Sequence, residues 1–127
     1  MLTNTREEGF TLLEVTISVA VLSIGLLAVA SMVHMVMNSN QQSGHLTTAI
    51  NLVQAKIDDL RVGDYASIVD EVESDLDENG VAGNGIFDRA VSMSESFTPA
   101  VKTIEVSVTW NDNNQRHVTM RTMLAGP

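Results

Sequence analysis

The chain has 127 residues, a net charge of −9 and no cysteine. This acidity argues against nucleic acid as the main partner, since phosphate binding needs basic patches. Without disulfides, a domain built from the residues outside one long apolar segment must be held by packing or by a bound ion.

The chain opens with Met1 to Gly9, where Arg6 is the only basic side chain, set against Glu7 and Glu8. Gly9-Phe10-Thr11-Leu12-Leu13-Glu14 follows, and then Val15 to Met37 without a charged residue if His34 is neutral. As a helix, that run is about 34 Å long, enough to cross a bilayer. Glu14 stands at its mouth, where an acid is costly in lipid and so invites a functional reading. Ser18, Ser23, Gly25 and Ser31 suit close helix–helix approach. No proline precedes Pro99, which favours an unbroken helix with Gly25 as its weak point. An ordinary signal peptide would use Ala28-Val29-Ala30 for cleavage, but the basic n-region is poor and the apolar run continues to Met37. A plain anchor helix explains the span but not the position of Glu14. After Met37 no Lys or Arg occurs until Lys56, so the short N-terminus is expected in the cytoplasm and the rest outside.

Gly-Phe-Thr-Leu-Leu-Glu ahead of an apolar helix resembles the processing site of type IV prepilins and pseudopilins. The resemblance implies cleavage between Gly9 and Phe10 by a prepilin peptidase, and N-methylation of Phe10 by the same peptidase/N-methyltransferase. It implies that Glu14 compensates the N-terminal amine of a neighbouring subunit. Opposite charges attract strongly in a low-dielectric bundle, and either one alone carries a desolvation cost. The implied partners are the major pilin, other minor pilins and an inner-membrane assembly platform. The implied location is the bacterial inner membrane as a single pass, and then a periplasmic or extracellular filament. Two departures stand out: prepilin leaders are usually more basic, and many major pilins carry a helix-kinking proline that is absent here.

Asn38 to Gly44 is polar and a poor helix former. Leu46, Ala49, Ile50, Val53, Ile57 and Leu60 then recur at spacings of three and four, one apolar stripe. These patterns predict one helix from about Thr11 to Val62, weakened at Asn38 to Gly44 and ending at Gly63. Its parts are a leader (1–9), a membrane or filament-core helix (10–37) and an amphipathic half (38–63). Residues 64–85 are read as an acidic short helix and loop, with Asp64 as cap and Tyr65, Ile68, Val69, Val72 and Leu76 on one face.

Asp75-Leu76-Asp77-Glu78-Asn79-Gly80 matches the opening half of an EF-hand-like calcium loop, with alternate oxygens and a turn glycine. Ile86 stands where the closing Glu would be, and Asp88 is a substitute ligand. Asp75, Asp77, Asn79 and Asp88 are therefore a candidate calcium set, and the other reading is an Asp/Asn/Gly turn without metal. No other cofactor is indicated.

Beyond Gly85 the period becomes two, giving strands near 86–94, 102–110 and 115–124. Ser94 to Ala100, with Pro99, connects the first pair, and Asn111-Asp112-Asn113-Asn114 is a turn between the last two. Trp110 is expected in the core. The fold class is α+β: a long N-terminal helix packed on a small three-stranded antiparallel sheet (86–127), the pilin-like arrangement. The three histidines, His34, His45 and His117, have no metal spacing, and no catalytic set emerges, so the chain is not expected to be an enzyme. The expected role is a minor type IV pilin-like subunit. The alternatives are a minor pseudopilin of type II secretion and a membrane-anchored extracytoplasmic calcium-binding module.

Overall fold

The computed structural model describes residues 9–97, 100–112 and 114–126. Most of the leader, with Arg6, Glu7 and Glu8, lies outside the described residues, as do Pro99 and Asn113. The described chain forms helix α1 (Leu12–Val62), a single 3-10 turn (Tyr65–Ser67), and strands β1 (Glu71–Leu76), β2 (Phe87–Phe97), β3 (Ala100–Asp112) and β4 (Asn114–Ala125). Two compact units divide it, one up to Asn40 and one from Gln41 onward.

In the first unit α1 is solvent-facing along its whole apolar run. The helix is long and apolar enough to cross a membrane. Its hydroxyls are satisfied locally: Thr16 donates to the Leu12 carbonyl, Ser18 to Glu14, Ser23 to Val19 and Ser31 to Leu27, all within 2.7–2.9 Å. A hydroxyl that bonds back in this way presents no unpaired donor to lipid.

α1 continues through Asn38 to Gly44 without interruption, so the expected weak point is helical. Propensity alone costs only tenths of a kcal/mol per residue, about 1 for Gly44, and neighbouring helix on both sides outweighs that. In the second unit Ala49, Leu52, Val53 and Ile57 are buried, with Leu60 packed beside them. They meet the inner sheet face, where Ile104, Val106, Val108 and Trp110 alternate along β3 and Phe87 and Val91 come from β2.

The sheet is an antiparallel meander in the order β1-β2-β3-β4. It therefore has four strands rather than three. The expected short helix over Tyr65 to Leu76 is replaced by the 3-10 turn and β1. Asp64 does cap that turn, accepting from the Ala66 N–H at 3.2 Å. Val69 and Val72, counted on the supposed buried helical face, are exposed. The other three strands are present and extend further than their alternation suggested. The β2–β3 pairing runs to Phe97↔Ala100 and the β3–β4 pairing to Asp112↔Asn114.

Candidate functional site

At the start of α1, Thr11 is the N-terminal cap. Its Oγ1 accepts from the Glu14 N–H at 3.2 Å, and its carbonyl accepts from Val15 N–H at 3.2 Å. Thr11-Leu12-Leu13-Glu14 is the S/T-x-x-E pattern of a capping box. That signal was readable in the sequence and fixes where the helix begins. Gly9 and Phe10 therefore lie outside the helix, both exposed, with Phe10 at 83%. Glu14 sits in the first turn, where a carboxylate also complements the helix dipole. Among the described residues no cation pairs with it.

The acidic loop follows β1. Asp75 has φ +57°, its N–H donates to Asp88 Oδ1 at 3.2 Å, and its carbonyl accepts from Gly83 and Gly85 N–H, both at 2.9 Å. Asp77 Oδ1 accepts from the N–H groups of Asn79 and Val81, both at 2.9 Å. Those two amides hold the Asp77 carboxyl below the ordinary aspartate range. The turn closes through Gly80 N–H to the Asp77 carbonyl at 3.1 Å, with Gly80 at φ +80°. A β carbon on Gly85 would fall 1.5 Å from the Leu76 carbonyl oxygen, so only glycine allows this approach.

The four candidate calcium ligands thus share one loop, in which Asp77 Oδ1 and Asp88 Oδ1 serve peptide N–H groups. Among the described residues no three His, Cys, Asp or Glu side chains are grouped so as to hold a metal ion. A calcium cage needs six or more oxygens converging on one point. The loop as folded is closed by its own hydrogen bonds to Asp77 Oδ1, Asp88 Oδ1 and the Asp75 carbonyl.

A set of charged pins between helix and sheet was not read from the sequence. Lys56 Nζ lies 2.6 Å from Glu71 Oε2 and 3.4 Å from Glu73 Oε2. Arg89, buried, donates from Nε to Glu73 Oε2 at 2.6 Å and reaches the Leu52 carbonyl at 3.3 Å. The Arg89 hydrogen bond, with the Arg89 and Lys56 charges, holds the Glu73 carboxyl below its usual value against the opposing effect of burial. Arg61 donates to Thr122 at 2.9 Å, and Arg116 donates to Gln42 at 3.1 Å. Lys102 is buried, donates to the Tyr65 carbonyl at 2.7 Å, and lies 4.5 Å from the Tyr65 ring centroid. The one available signal was Lys56, a charge set between Val53 and Leu60 on the apolar stripe.

His45 Nδ1 and Asp112 Oδ2 are 3.5 Å apart, and the imidazole packs edge-on against Phe87. Among the described residues no histidine belongs to a group of three or more metal-ligating His, Cys, Asp or Glu side chains.

A family model described as the prokaryotic N-terminal methylation motif matches residues 4–30. No curated protein and no solved structure matches the chain.

Proposed function

Proceeding from the type IV prepilin-like signature that the chain carries at residues 4–30, we propose that it is a pilin-like structural subunit rather than an enzyme. It inserts in the bacterial inner membrane with its N-terminus in the cytoplasm. A prepilin peptidase cleaves it between Gly9 and Phe10 and methylates the Phe10 amine. The subunit then enters a pilus through its N-terminal helix, with other pilins and an assembly platform as partners. The observation that carries this reading is the methylation motif lying on an exposed Gly9–Phe10 pair just ahead of a capped, membrane-length helix. A peptidase binds extended backbone, and the Thr11 cap leaves Gly9 and Phe10 outside the helix.

Within the filament, Glu14 accepts the Phe10 amine of a neighbouring subunit. An unpaired carboxylate in an apolar bundle is strongly disfavoured, and a neighbour's ammonium relieves it. The small second unit, without a disulfide, supports a minor subunit over a major one. Mass spectrometry of the N-terminus, in cells that express a prepilin peptidase, is expected to find N-methyl-Phe10. A chain beginning at Ser31 would overturn the proposal in favour of an ordinary signal peptide. Glu14→Ala is expected to leave membrane insertion intact and to lower incorporation into filaments. Full incorporation of that variant would remove the pairing role from Glu14. Copy number in purified filaments tests the minor assignment.

A further inference from the structure

The sheet ends in two unlike edges. β4 is twelve residues long, and its pairing with β3 runs unbroken from Val101↔Ala125 to Asp112↔Asn114. It carries no proline and no bulge, and among the described residues no strand lies beyond it. Natural sheets seldom leave an edge this long and regular, because its free N–H and C=O groups template another strand. β1 is short, its register shifts between Glu73 and Leu76, and Ala82 bridges Leu76. Only Glu71 to Ser74 remain open there.

The two edges differ in charge. β4 carries Arg116, His117 and Arg121 and no acid. β1 carries Glu71, Glu73 and Asp75 and no base, with Asp70 just before it. Each edge also holds one large exposed apolar side chain on the outer sheet face. Val72 is 75% exposed and Met123 is 69% exposed. The registers place Val72 beside Ala90 and Met123 beside Thr103, in rows of the same face.

We infer that β4 of one subunit pairs with β1 of a second copy, extending the sheet from domain to domain. Strand parity permits it. In a four-stranded meander β1 and β4 run in opposite directions, so copies in the same orientation meet with antiparallel strands. Much of the edge charge is already paired within the subunit, Glu71 and Glu73 with Lys56 and Arg89, and Arg121 with Glu105. Orientation selects the unlike pair: β4 meets β4, or β1 meets β1, only when one copy is turned over or end for end, whereas copies held in one orientation by their N-terminal helices bring β4 to β1. The contact is head-to-tail and does not close on itself, the type of interface that builds filaments. It rests on the pilin reading above. With four open residues on β1 it is small, well under the size of a stable interface between free proteins. It therefore acts between subunits already held together by their N-terminal helices, where effective concentration is high. A row of two or three copies is enough for a low-abundance subunit.

The chain has no cysteine, so engineered pairs report cleanly. Full-length chain is expressed in cells with the peptidase and assembly machinery, as Val72→Cys/Met123→Cys and as Val72→Cys/Thr119→Cys, two registers of the same face. Each single variant serves as a control. After mild oxidation, at least one double variant is expected to give disulfide-linked dimers and longer oligomers, at least fivefold above every single variant. Dimers from Val72→Cys or Met123→Cys alone, at the level of the double variants, would overturn the inference in favour of like-edge pairing or collision. No cross-link in chains whose Phe10 is methylated and which enter filaments would sink the sheet contact and leave the pilin reading standing. Chains left unprocessed at Gly9 would remove both. Both replaced β-edge apolar residues are exposed, so folding, followed by Trp110 emission, is expected to match the parent.

Discussion

Gly85→Ala tests how the acidic loop is held. A β carbon there would sit 1.5 Å from the Leu76 carbonyl oxygen, 1.8 Å from its carbon and 2.3 Å from the Asp77 nitrogen. All three are backbone atoms, so the chain must move by about 2 Å to restore van der Waals contact. That movement breaks the two 2.9 Å bonds from Gly83 and Gly85 N–H to the Asp75 carbonyl. Each is worth about 0.5–1.5 kcal/mol net. Leu76, 1% exposed, is partly uncovered at a further cost of about 1 kcal/mol. The expected loss is about 2–4 kcal/mol, which for a domain of this size lowers Tm by at least about 8 °C. Trp110 is the only tryptophan and is buried, so its emission reports melting of the full-length protein in detergent. Gly44→Ala is the control. Nothing lies within 4 Å of its β carbon, and alanine inside a helix is expected to add up to about 1 kcal/mol. A Gly85→Ala protein melting within about 2 °C of the parent would refute the close approach.

Arg89→Met removes the nearer of the two cations, Arg89 and Lys56, that share Glu73. It is expected to cost about 2–4 kcal/mol in chemical denaturation, because the glutamate keeps its burial and loses its best partner. The Glu73 and Asp77 carboxyls both have lowered folded values, Glu73 chiefly through Arg89 and Asp77 through the Val81 and Asn79 amides. Lowered folded values mean stabilisation that is complete above the ordinary carboxylate range and lost as pH falls through the folded values. Tm is therefore expected to hold from neutral pH to about 5 and to fall below about pH 4, with Glu73→Gln and Asp77→Asn flattening the fall; a fall unchanged in the double variant would contradict the assignment. Calcium at about 10 mM is expected to leave Tm unchanged, since Asp77 Oδ1 and Asp88 Oδ1 already serve amides. A calcium-dependent rise would show that the loop reorganises around the ion.

What the sequence disclosed followed from periodicity. The membrane-length run, the stripe from Leu46 to Leu60 and the alternation around Ile104 to Trp110 each repeat one apolar pattern, and each became the expected element. The start of α1 was equally open to reading through the Thr11-to-Glu14 capping pattern. The pins were not, because Lys56 with Glu71 and Arg89 with Glu73 are pairings between elements, and spacing along one element carries no trace of them. The loop shows a different limit. Its Asp-x-Asp-x-Asn-Gly spacing serves a calcium cage or an Asx turn, and only the backbone decides whether Asp77 Oδ1 faces an ion or the Asn79 and Val81 amides.

β1 was misread because it inverts the usual strand rule. Tyr65, Ile68, Val69, Val72 and Leu76 fit helical spacing, whereas the period-two pattern Glu71, Val72, Glu73 puts its acids, not its valine, toward the helix. A strand whose inner face is acidic is stable only if cations wait opposite, and Lys56 and Arg89 supply them from other elements. The same inversion leaves Val72 exposed on the outer face. It also sets the parity of the sheet. Three strands would give two edges running the same way, and copies in one orientation would then meet in parallel. The fourth strand reverses one edge and makes an antiparallel contact between copies available. The polar strand that escapes hydrophobic pattern reading is thus the one that determines how neighbouring domains can join.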